Sequence, residues 1–252
     1  MLNLLIITFI GLAAGILSGL FGIGGGVIIV PALTFFLSMQ LKSACGISLA
    51  ALLLPVGYFA ARTYFKAKQL ELIGSAVIAS GLISGSYFGA VIAIGLESRL
   101  IVTFYAFFLI FVALRYIFSK TKEAPVHEIL HNKYVRIAGF YVLGFIAGVL
   151  SGLFGIGGGV IIVPFLVSVL GLNPKKASGT SLGALLLPVG LPGVIQYYSA
   201  GLINFIYAAV IAGGLLSGGY LGAKIAVKTK SDTMKHLYGV FLIFVAIKML
   251  LF

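Results

Sequence analysis

Leu17 to Pro31 reads LSGLFGIGGGVIIVP, and Leu150 to Pro164 repeats it letter for letter. The copies stand 133 positions apart, and the offset carries on down the chain. Lys42 matches Lys175, Ala44 matches Ala177, Gly46 matches Gly179 and Ser48 matches Ser181. The run Leu52 to Gly57 (LLLPVG) returns at Leu185 to Gly190, and Tyr64 and Tyr105 return as Tyr197 and Tyr238. The chain is therefore two copies of one unit, expected at residues 1–119 and 137–252, with the polar stretch 120–136 as linker. Internal repeats recur among secondary transporters; a duplicated scaffold with no transport role is the plainer alternative.

Composition says what kind of unit is repeated. Of 252 residues, 61% are hydrophobic and 9% charged, and the mean hydropathy is +1.21. A soluble domain carries roughly 25% charged residues, so this chain lacks the polar atoms needed to cover a water-facing surface. Met1 to Leu41, Leu72 to Leu96, Ile137 to Pro174 and Ala177 to Ala223 hold no charged residue, and a helical span needs about 20 mostly apolar residues. An all-α integral membrane protein is expected, with the lipid bilayer as its surroundings. The N-terminal apolar stretch lacks a basic lead-in and outruns a signal peptide, so the first segment is expected to stay. A net charge of +12 suits nucleic acid in a soluble protein. Here the cations fall in short gaps between apolar runs, as in cytoplasmic loops facing anionic lipid, and no nucleic-acid partner is expected. The single cysteine, Cys45, excludes an intramolecular disulfide and a multi-thiolate metal site; in its apolar run it reads as a packed small side chain.

Charge also orients the two units. Past Pro55 the first half has Arg62, Lys66, Lys68 and Glu71, whereas the matching stretch Leu191 to Asn204 has no charge. One segment later the pattern reverses: Glu97 and Arg99 stand against Lys224, Lys228, Lys230, Asp232 and Lys235. The positive-inside rule puts the 62–71 loop, the linker and the 224–235 loop in the cytoplasm. Equivalent loops then lie on opposite sides, which predicts two inverted repeats with both termini outside. Inversion requires an odd number of elements, about five per half. They are expected at 3–20, 26–41, 44–61, 71–95 and 99–118, and at 137–153, 159–173, 177–191, 204–227 and 236–252. That makes roughly 8–10 spans, some short or broken, 26–41 being short for a full crossing. Lys42 falls outside in this topology, a mild violation.

Gly22, Gly24, Gly25 and Gly26, with their twins Gly155, Gly157, Gly158 and Gly159, sit inside uncharged runs. Consecutive glycines favour a break in the helix, and non-helical backbone at membrane depth survives only against protein or an aqueous cavity. The segments restarting at Val27 and Val160 then offer free N–H groups and a positive dipole end, which bind an anion without a charged side chain. Gly24–Gly26 and Gly157–Gly159 are the expected substrate contacts, facing one central site. Gly15 and Gly19, and Gly148 and Gly152, fit close helix packing instead. Pro31, Pro55, Pro164 and Pro188 each remove a backbone donor and join Gly22 and Gly155 as helix-break or gating positions, while Pro192 reads as a turn. Ser43 and Ser178 read as helix caps. Ser48, Thr180 and Ser181 are candidates for a polar pocket, with structural bonding equally open for the two serines. No carboxylate falls in a span core, which argues against a cation carrier or proton pump. Arg115 and Lys224 sit at cytoplasmic ends, where snorkelling is the default. His127, His131 and His236 form no metal-ligand set, and no nucleophile–base pair is present. No catalytic residue, metal or cofactor is expected.

The glycine motif, followed by KSACGISLAALLLP at Lys42 to Pro55 and KASGTSLGALLLP at Lys176 to Pro188, resembles the TauE/SafE family, the sulfite-exporter-type membrane permeases. The likeness covers nearly the whole chain. It implies a multi-pass transporter of a prokaryotic plasma (inner) membrane that exports sulfite or a related sulfur-containing or organic anion. The first half has Ile47 where the second has Thr180, so a threonine role belongs to the second half alone. The leading function is an anion exporter working by alternating access. A passive anion channel is one alternative. The other is a membrane enzyme or assembly factor of sulfur metabolism, for which the chain offers only Cys45, matched by Ser178. The sequence leaves the oligomeric state open.

Overall fold

The computed structural model describes residues 2–21, 24–55, 57–118, 133–226 and 231–251, and every regular element among them is a helix. The first half contributes α1 (Leu2–Phe21), α2 (Gly26–Leu37), α3 (Leu41–Ala51), α4 (Tyr58–Lys66), α5 (Leu72–Gly95) and α6 (Ser98–Phe118). The second contributes α7 (Lys133–Phe154), α8 (Gly159–Ser168), α9 (Pro174–Ala184), α10 (Leu191–Ser199), α11 (Phe205–Ala226) and α12 (Ser231–Leu251). From α8 to α12 each helix starts 133 residues after its counterpart. Most of the linker, with His127 and His131, lies outside the described residues, as do the side chains of Arg115, Lys224 and His236.

Among the described residues each half shows six helices where five elements are expected, because the third element is two helices. α3 tightens at its end, where Leu53 N reaches Ala50 O at 3.3 Å, and helix resumes past Pro55. The same happens before Pro188, with Leu186 N on Gly183 O at 3.4 Å. A proline has no N–H to continue the ladder, and its ring crowds the preceding turn. Pro192 does not end a segment: it occupies the first turn of α10, where its fixed φ suits a helix start. Ser43 and Ser178 are not caps but lie inside α3 and α9. The cap of α9 is Asn173, accepting from Lys175 N at 3.0 Å, and Gln40 precedes α3 without a side-chain bond. At about 1.5 Å per residue, α2 and α8 are each too short to cross a hydrocarbon core about 30 Å thick.

The helices pair across the halves. α5 lies along α7 in parallel: Gly81 meets Tyr141 and Gly144, Gly85 meets Phe145 and Gly148, and Gly89 meets Val149 and Leu153. The backbones touch there, since a Cβ on Gly85 would land on the Phe145 carbonyl oxygen. α1 lies along α11 in the same way, with Gly11 against Ile211 and Gly15 against Leu215. Small residues let membrane helices approach until dispersion and backbone contacts hold them. Gly15, Gly148 and Gly152 serve that packing. Each half thus gives its fifth helix to the other, α5 joining α7, α8 and α9 and α11 joining α1, α2 and α3.

Contacts also set helix directions. α9 and α10 follow α5 one after the other, Thr180 beside Glu71 and Ser75, then Val189 and Gly193 beside Ser86. α3 runs against α10, with Gly46 on Tyr197 and Leu49 on Gly193. α3 and its counterpart α9 therefore point in opposite directions. Outward-facing surfaces are apolar: Leu100, Phe104, Phe107, Phe111 and Leu114 form an exposed stripe along α6 at helical spacing. α5 and α7 are each long and apolar enough to cross a bilayer, and lipid covers such faces at no hydrophobic cost.

Candidate functional site

The glycine motifs are where helices stop. α1 ends at Phe21 and α2 begins at Gly26; α7 ends at Phe154 and α8 begins at Gly159. Between them φ is positive at Gly24 (80°), Gly25 (59°), Gly155 (69°), Gly157 (75°) and Gly158 (75°). Any other L-residue pays roughly 1–2 kcal/mol in that region, so the run of glycines is what permits the turn. Gly22 lies outside the described residues. Neither α2 nor α8 has a side-chain cap or an acidic residue in its first turn. Their positive ends carry amides that no side chain neutralises.

The two breaks meet. Gly26 packs so closely on Gly155 and Ile156 that a Cβ would strike the Gly155 carbonyl oxygen. A Cβ on Gly157 would lie 3.9 Å from Gly24 O and against Leu52, in the α3–α4 break, whereas one on Gly24 meets no described atom within 4 Å. Gly25 and Gly26, and Gly158 and Gly159, are buried. α3 completes the junction: the Cys45 backbone abuts Gly155, and the fully buried Ser48 donates its hydroxyl to Gly155 O at 2.7 Å. Tyr197 of α10 donates to Gly152 O at 2.9 Å. Two carbonyls at the end of α7, otherwise without donors, are thus met by side chains of other helices.

The other candidates divide. Thr180 is buried, but its hydroxyl accepts from Glu71 N at 3.2 Å and its carbonyl accepts from Ser75 Oγ at 2.9 Å. It ties α9 to α5, away from the glycine junction. Ser181 is buried beside it in α9. Pro31 and Pro164 do not break helices, since α2 and α8 run through them; they leave the carbonyls of Val27 and Val160 without their i+4 donors. Pro55 and Pro188 stand in the α3–α4 and α9–α10 breaks. Sequence reading missed Ser86, whose hydroxyl holds Val189 O at 3.0 Å in the second of those breaks. Its counterpart is Gly219, so the repeat gave no signal for it.

Among the described residues the buried polar side chains are Ser48, Ser75, Ser86, Ser151, Thr180 and Ser181, together with Tyr105 and Tyr197, and none is charged. No three His, Cys, Asp or Glu side chains among them gather to hold a metal. Charges collect at the ends instead. Glu71 pairs with Arg136 at 2.6 Å and Lys176 at 3.8 Å, joining the starts of α5, α7 and α9. The counterparts of these three residues are Asn204, Asn3 and Ser43. There Asn204 caps α11, accepting from Ile206 N at 3.1 Å, and a cavity of about 540 Å³ opens among Met39, Ser43, Ile47 and the 201–206 turn. One end is bridged by ions; at the matching end the three counterparts are neutral and a cavity opens beside Ser43.

Known proteins share this sequence along its length. The family described as "Sulfite exporter TauE/SafE" matches residues 7–249. The probable membrane transporter protein YunE of Bacillus subtilis is 28% identical, over 99% of this chain and 98% of its own. A probable membrane transporter protein of Haemophilus influenzae is 29% identical, over 98% of each. One of Methanocaldococcus jannaschii is 30% identical, over 94% of this chain and 90% of its own. No solved structure matches.

Proposed function

The chain belongs to the sulfite exporter TauE/SafE family of multi-pass membrane transporters, and on that premise we propose that it exports a small anion, sulfite or a related sulfur-containing or organic anion, across a prokaryotic plasma membrane. One observation carries the proposal. Two uncapped helix starts, one from each half, meet in an interior that holds no charged side chain among the described residues. Backbone amides at a helix N-terminus favour an anion, and their charge counts for more where water is excluded. Substrate contacts are assigned to Gly24–Gly26 and Gly157–Gly159, with Ser48 holding the junction. An inside-negative potential drives an anion outward, at about 2.3 kcal/mol per charge per 100 mV.

The two halves act as inverted repeats, residues 1–119 and 137–252, that expose the junction to each side in turn. The opposite directions of α3 and α9 support this, and so does the contrast between the Glu71–Arg136 end and the open Asn204–Ser43 end. The test is efflux of labelled sulfite from proteoliposomes. Wild-type flux is expected to saturate with concentration, unlike that of a channel. The Gly25→Ala/Gly158→Ala protein, strained at both positive-φ caps, is expected to insert yet lose at least tenfold in rate. Normal flux in that variant, or linear flux in the wild type, contradicts the proposal.

A further inference from the structure

Tyr105 of α6 carries the one buried side-chain polar atom among the described residues with no hydrogen-bond partner. Its side chain is fully buried, and its ring lies 5.2 Å from that of Phe154, the last residue of α7 before the glycine break. It shares one buried cluster with Cys45, and the Cys45 backbone abuts Gly155. The Tyr105 ring thus lies against the end of the broken helix.

The buried hydroxyls that reach the end of α7 are engaged. Ser48 holds Gly155 O and Tyr197 holds Gly152 O, which leaves Tyr105 alone unsatisfied. A buried hydroxyl without a partner opposes folding, and phenylalanine would fill the same space without that penalty. Such exceptions in a packed interior call for a specific explanation. The chain places a second tyrosine, Tyr238, at the matching position of the other half, just as it places Phe21 opposite Phe154.

We propose that the Tyr105 hydroxyl is a substrate contact, a neutral O–H donor that an oxyanion meets beside the α7–α8 break. It supplements the backbone amides of α8 with a donor on a side chain, and favours solutes that present several acceptor oxygens. This rests on the transport function proposed above. Tyr105→Phe protein in proteoliposomes is compared with wild type for sulfite efflux at varied concentration and for thermal unfolding. KM is expected to rise about five- to tenfold, the loss of roughly 1 kcal/mol from one neutral hydrogen bond. Vmax is expected to change less, and Tm to hold or rise. The control, Tyr197→Phe, loses the bond to Gly152 O and is expected to unfold at lower temperature. Unchanged KM in Tyr105→Phe beside an active wild type, or a lowered Tm with unchanged KM, overturns the Tyr105 assignment alone. A wild type with no anion flux overturns the transport function and this assignment with it.

Discussion

Ser48 in the first half donates its hydroxyl hydrogen to the carbonyl of Gly155 in the second, 2.7 Å away, and both residues are buried. The bond crosses between repeats at the point where α7 has stopped and α8 has not begun. Gly155 O belongs to the set of helix-end carbonyls that have no donor of their own. A polar link at this place holds one broken helix to the other half without placing a charged side chain at the junction.

Replacing Ser48 by alanine leaves that carbonyl buried and unmet, a loss of about 1–3 kcal/mol. The Ser48→Ala protein is expected to show a lower Tm in detergent and slower sulfite efflux. An unchanged Tm would mean that the carbonyl finds another donor and that the bond does not hold the junction.

Backbone contact between α5 and α7 leaves no room for a side chain. A methyl group on Gly85 strikes the Phe145 carbonyl, so Gly85→Ala forces the pair apart and is expected to reduce the yield of folded protein sharply. Gly213→Ala, where an added Cβ meets nothing within 4 Å, is expected to fold as well as wild type. Equal yields by size-exclusion chromatography would refute the close packing.

Lys42, the cation that violates the charge rule, has a structural use. Its Nζ donates to Ile94 O at 2.8 Å in the last turn of α5, where a positive charge complements the helix dipole. Lys42→Met is expected to lower stability by about 0.3–1 kcal/mol. The same change at the exposed counterpart Lys175 is expected to have a smaller effect, and thermal unfolding of the two variants side by side distinguishes them.

The Glu71–Arg136 pair is partly exposed, with side chains 20% and 37% accessible, so breaking it is expected to change stability by less than about 1 kcal/mol. Under the proposed alternation of the two halves, its effect is expected in which end opens. With Cys45→Ser as background and a reporter cysteine at Leu70, Arg136→Gln is expected to speed labelling by an impermeant thiol reagent several-fold from the side bearing Arg136. Labelling at the wild-type rate would show that the pair does not hold that end shut.

Much of this arrangement is legible in the residues. The repeated glycine motif marks the helix breaks because glycine adopts the left-handed backbone that the turn needs without steric cost, and the uncharged runs mark the helices. The split of the third element is harder to see, because Pro55 and Pro188 resemble Pro31 and Pro164 in context, yet only the first pair falls between helices. Position relative to the helix start decides this, and α2 begins only five residues before Pro31. Ser43 and Ser178 mislead for a similar reason: α3 and α9 begin earlier, at Leu41 and Pro174. The Glu71–Arg136 link joins residues 65 positions apart, and no local pattern announces it. The exchanges of Glu71 for Asn204 and of Arg136 for Asn3 at matched positions are the traces it leaves.

The central claim places a bound oxyanion between two helix starts, and locating that anion tests it most directly. Crystals of the protein grown with selenite, an analogue of sulfite, are expected to give a selenium anomalous peak within hydrogen-bonding distance of the backbone nitrogens of Gly25 and Val27 or of Gly158 and Val160. Selenium found only beside surface lysines, in protein that transports selenite, would contradict the account.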